Sequence, residues 1–84
     1  MTNGNGHSDK LAELVLKIVS DANEPLETKE IESRLAELKM KEATRIKVMW
    51  RLQNLRGEGK IKGKFVGPGK GVWIWWKGDV YEKK

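Results

Sequence analysis

From Leu11 onward the apolar residues fall at Leu11, Leu14, Val15, Ile18 and Ala22, the i, i+3, i+4, i+7, i+11 stripe of an amphipathic helix, with Leu16 and Val19 widening it. Ser8 or Asp9 is placed to cap this helix, and Asn23-Glu24-Pro25 ends it. After a short extended stretch, Leu26-Glu27, Thr28 is placed as N-cap of a second helix whose buried face is Ile31, Leu35 and Leu38. The brief linker Lys39-Met40-Lys41 leads to a third helix. It is predicted from Glu42 to Arg56, with Val48, Leu52 and Leu55 inward and Gly57 and Gly59 to stop it. There the period changes from helical to alternating. Ile61 to Val66 alternates, Gly67-Pro68-Gly69-Lys70-Gly71 turns the chain, and Val72 to Lys77 is β-branched and aromatic, so the two runs predict a hairpin. Residues 1–7, rich in Gly and Asn, read as a flexible tail and residues 78–84 as a charged one. The pattern is that of one α+β domain over residues 8–77.

The hairpin admits two registers, which sort its side chains differently. With Val66 opposite Gly71, the preferred pairing, Ile61, Phe65, Val72, Ile74 and Trp76 share an inner apolar face. Lys62, Lys64, Trp73 and Trp75 then share the outer one, and Trp76 is the tryptophan expected in the core. With Val66 opposite Val72, Trp73 and Trp75 turn inward over Gly63 with Phe65, and Val66, Ile74 and Trp76 lie beside the lysines.

Composition narrows the possible chemistry. The chain has 84 residues, enough for a single small core. It has no cysteine and one histidine, His7 in the tail, so neither a disulfide framework nor a thiolate or histidine metal site is expected. No apolar run is long enough to span a membrane, and the polar start lacks the features of a signal peptide, so a cytoplasmic protein is expected. No Ser/His/Asp set and no paired carboxylates in a pocket stand out; neither an enzyme nor a cofactor is expected. The glycine-rich turn lacks the Gly-Lys-Ser/Thr ending of a phosphate loop.

Charge is divided along the chain. Residues 1–38 hold four bases and eight acids, hence −4, whereas residues 39–84 hold thirteen bases and four acids, hence +9; together they make the net +5. Such an asymmetry predicts one face turned to a polyanion and another left acidic and solvated.

Three helices, a tight turn between the second and third, and a C-terminal hairpin resemble a winged helix-turn-helix DNA-binding domain. The resemblance is sharpest over Val48 to Trp76. Small bacterial and archaeal regulators of this kind end the third helix with two leucines three apart, then a glycine, an aliphatic residue opening the wing and a glycine-containing tip. Here these are Leu52, Leu55, Gly59, Ile61 and the Gly67 to Gly71 loop, with Val72, Ile74 and Trp76 on the returning strand. The chain departs from them at Lys60, where leucine is usual, and in its number of tryptophans.

The resemblance implies a three-helix fold with a two-stranded wing. It also implies a third helix in the major groove of double-stranded DNA and a wing on the flanking backbone, in transcription regulation or chromosome handling at the nucleoid. A helical projection turns Ala43, Ile46, Lys47, Trp50 and Asn54 outward or sideways and sets Arg45 and Arg51 at the border of the core. Arg45, Lys47 and Arg51 can donate to phosphates or guanine edges, Thr44 to a phosphate, and Asn54 to adenine or a backbone oxygen. Lys62, Lys64 and Lys70 are candidates for backbone contacts, and Trp50, Trp73 and Trp75 for stacking. Two other readings stay open. Ile46, Trp50 and the hairpin tryptophans can instead dock a protein partner or a second copy, or the hairpin aromatics can bind single-stranded nucleic acid.

Overall fold

The computed structural model describes residues 9–78. The tail expected over residues 1–7 lies outside the described residues, as does nearly all of the one expected over 78–84. The element order is α1 (Lys10–Asp21), β1 (Leu26–Glu27), α2 (Thr28–Glu37), α3 (Arg45–Gly57), β2 (Lys62–Val66) and β3 (Val72–Trp76). The fold is α+β, with the three helices packed on one side of a small antiparallel sheet of order β1-β3-β2.

Each helix starts where a side chain relieves its unpaired N–H groups. For α1 this is Asp9, whose carboxylate accepts the Ala12 N–H at 3.1 Å. At α2 the cap is Glu27, one residue before the expected Thr28, and its own N–H donates to Glu30 Oε1 at 2.7 Å in a capping-box arrangement. The helix α3 begins at Arg45 and not at Glu42, because the Thr44 hydroxyl accepts the Lys47 N–H at 3.3 Å and fixes the boundary. The residues from Met40 to Thr44 are spent on the turn between the helices.

Two helices end alike. After α2, the N–H groups of Lys39 and Met40 donate to Ala36 O and Leu35 O at 2.9 and 3.2 Å. After α3, those of Gly59 and Lys60 donate to Arg56 O and Leu55 O, both at 3.0 Å. Both are the paired bonds of a Schellman ending, which needs a left-handed residue. Gly59 supplies it at φ 80°, and Lys39 at φ 62°.

The core takes one stripe from each helix and closes on the sheet. Leu11, Val15 and Val19 of α1 meet Ile31 and Leu35 of α2, Val48, Leu52 and Leu55 of α3, and Leu26, Ile61 and Trp75. Val19 therefore belongs to the buried row of α1, whereas Leu14, Ile18 and Ala22 are only partly buried beside it. Leu38, expected in the core, is 54% exposed, since α2 has ended before it and Leu38 is its C-cap.

The sheet corrects two expectations. It has three strands: Leu26 pairs with Trp75 and Glu27 with Ile74, so the stretch before α2 becomes an edge strand that ties the helices to β3. The hairpin register sets Val66 opposite Val72, with Gly63 opposite Trp75 and Phe65 opposite Trp73. Trp75, not Trp76, is thus the buried tryptophan, at 0% exposure. Its ring lies against Gly63, where any Cβ would collide with it, and its indole N–H donates to Thr28 Oγ1 at 2.9 Å. A ring of this size needs both a hollow in the opposing strand and a partner for its polar edge, and this register provides them in Gly63 and Thr28.

Candidate nucleic-acid interface

The helix α3 sorts its side chains into four directions. Val48, Leu52 and Leu55 enter the core. Toward α1, Arg51 meets Asp9 at 2.8 Å, its side chain only 23% exposed. Asp9 thus caps α1 with one carboxylate oxygen and holds α3 with the other. On the side of α2 and the hairpin, Arg45 reaches Glu32 of α2 at 3.4 Å, and the Arg56 guanidinium lies 5.4 Å from the centroid of the Trp73 ring. The fourth direction is solvent, where Ile46 is 75% and Trp50 67% exposed, with Lys47 and Asn54 exposed alongside.

The expected placement of Ile46 and Trp50 away from the core is therefore the observed one. Of the two arginines expected at the border of the core, Arg51 is committed to Asp9. Thr44 spends its hydroxyl oxygen on the helix cap.

On the hairpin, the face away from the helices carries Lys62, Lys64 and Val66 opposite Trp76, Ile74 and Val72. The expected interleaving of Lys62 and Lys64 with Trp73 and Trp75 does not occur, because the register turns both rings to the helix side. Trp75 is inaccessible, and Trp73 stacks on it at 5.1 Å with Phe65 against its edge. Lys70 stands in the tip, where Gly67 and Gly69 adopt φ 98° and 62°, values that glycine takes at no steric cost.

A shallow groove runs between the start of α2, the start of α3 and the hairpin tip. Its lining includes Lys29, Arg45 and Lys70, one cation from each of three separate elements, against a single acid, Glu27, and the apolar Met49, Val72 and Trp73. Lys29 was not legible as a site residue, because it belongs to the acidic half of the chain. The available signal was its position: a cation in the first turn of a helix opposes the macrodipole and gains nothing there for stability. Arg56 was also missed, since its contact with Trp73 depends on the register.

From Arg45 to Lys77 the chain has nine bases and one acid, Glu58, a balance of +8. Glu58 lies 3.5 Å from Lys60. Among the described residues Lys47, Lys64 and Lys70 make no ion pair. No group of histidines and carboxylates able to hold a metal occurs among them, and no helix is long and apolar enough to cross a membrane. No family model, curated protein or solved structure matches this chain.

Proposed function

We propose that this chain binds double-stranded DNA as a winged helix-turn-helix domain, with α3 in the major groove and the β2–β3 hairpin as the wing on the flanking backbone. The observation that carries this reading is the convergence of Lys29, Arg45 and Lys70 from three elements on one groove beside the outward face of α3. Separate elements that present cations to one concave strip suit a phosphate backbone, which offers a regular line of negative charge. Lys47 and Lys64, without acid partners among the described residues, extend the charge to either side.

The test is a titration of labelled duplex at several salt concentrations. Binding that weakens with a log-log slope near −0.9 per phosphate contacted supports the reading. Absence of duplex binding at low salt overturns it. A second reading, docking of a protein partner through α3, is favoured by the exposure of Ile46 and Trp50, and it predicts association that is insensitive to Lys70→Ala. Single-stranded binding by the hairpin aromatics has less to support it, because Trp75 is buried and the half-buried Trp73 lies on the opposite face of the hairpin from Lys62 and Lys64.

A further inference from the structure

The outward stripe of α3 is Ile46 and Trp50, followed one turn on by Asn54, which is exposed at the edge of a cleft toward α1 that Asp9, Arg51 and Glu58 also line. A helix that met only phosphates would have no use for two large apolar side chains there, and in water each exposes surface that favours burial. Within the major groove there is one apolar group to bury them against, the C5-methyl of thymine. A G·C pair presents only polar edges, so Ile46 or Trp50 set over it leaves acceptors and a donor stripped of water and unpaired, which is unfavourable.

The polar residues around the stripe point the same way. Guanine is read most often by arginine; Arg51, in the middle of α3, is held by Asp9, and Arg45, at the first position of the helix, is the groove cation assigned above to the phosphate backbone. Asn54, on the next turn, has the amide that matches the N6 and N7 of adenine. A second copy is a poor occupant for this face. The helix contains no acidic residue, so pairing it with itself about a two-fold axis sets Lys47, which has no ion-pair partner among the described residues, against other cations.

We infer that α3 selects A·T-rich duplex through the thymine methyl groups, with Ile46 and Trp50 as the apolar reading surface and Asn54 as the adenine contact. This rests on the duplex-binding reading above.

The experiment compares one A·T-rich duplex with the same duplex in which every thymine is replaced by uracil, which removes the methyl and keeps every hydrogen-bonding group. Wild-type protein is expected to lose about fourfold in affinity per methyl buried. Ile46→Ala and Trp50→Ala variants, their fold checked by circular dichroism, are expected to bind the two duplexes with nearly equal affinity and to keep the salt dependence. If wild-type protein binds both duplexes equally, the inference falls while duplex binding stands, and the apolar pair passes to a protein partner. If it binds neither, the duplex reading falls and the inference with it.

Discussion

Gly63 stands opposite Trp75 in the hairpin, and the indole ring occupies the space a side chain there would need. The strand Val72–Trp76 is apolar at every position, so alternation, which normally says which face is inward, is uninformative there, and either register produces an apolar side. The distinguishing signal was a glycine inside the partner strand, which marks a close approach by something large. Gly63→Ala tests this, since the new methyl has no room beside the Trp75 ring. Overpacking of this kind costs roughly 1–3 kcal/mol, to be read from chemical denaturation. An unchanged midpoint would show that the ring moves aside freely. Truncation of Trp75 to alanine is the harsher change, at about 3–5 kcal/mol, and in so small a core it is expected to prevent folding.

At the scale of elements, the helices were legible because amphipathic spacing is a long-range pattern carried by many residues. Their boundaries were less so, since a boundary rests on one side chain: Thr44 moved the start of α3 from the expected Glu42 to Arg45, and Glu27 took the capping position of α2 expected for Thr28. The edge strand Leu26–Glu27 is two residues long and carries no periodicity of its own; its place in the sheet is set by a partner far along the chain. The helix ends yield a prediction. Both use the same pair of bonds, but Lys39 holds with a side chain the left-handed backbone that Gly59 holds without one. Because that conformation costs a residue with a Cβ roughly 1–2 kcal/mol, partly offset by the greater freedom of glycine when unfolded, Lys39→Gly is expected to raise stability by about 0.5–1 kcal/mol. A lower thermal midpoint in the variant would contradict it. The reverse change, Gly59→Ala, has open space around it and is expected to destabilise through backbone strain alone.

For the molecule as a whole, charge was legible in sign and in rough location, and illegible in detail. The +9 of residues 39–84 foretold a basic face, yet its arrangement depends on how α2, α3 and the hairpin tip meet, and that brought in Lys29 from the acidic half while committing Arg51 to Asp9. A prediction belongs at this scale. Replacing Lys29, Lys47 and Lys70 together by alanine should flatten the salt dependence of duplex binding by about 0.9 for each phosphate contact removed, whereas Lys10→Ala with Lys17→Ala should leave it unchanged. Equal losses from both sets would mean diffuse attraction with no defined docking.

The bond from Trp75 to Thr28 also governs when this domain comes into being. It joins positions 47 apart in the chain, and the largest buried side chain arrives in the last strand. The nascent polypeptide therefore carries three amphipathic helices whose apolar stripes lack their lid until β3 has left the ribosomal tunnel. Helices of this length are marginal on their own in water, so closure is expected to wait for the contacts that β3 brings. A chain arrested before Val72 is expected to be readily cut by protease, and one extended far enough to release Trp76 to resist it.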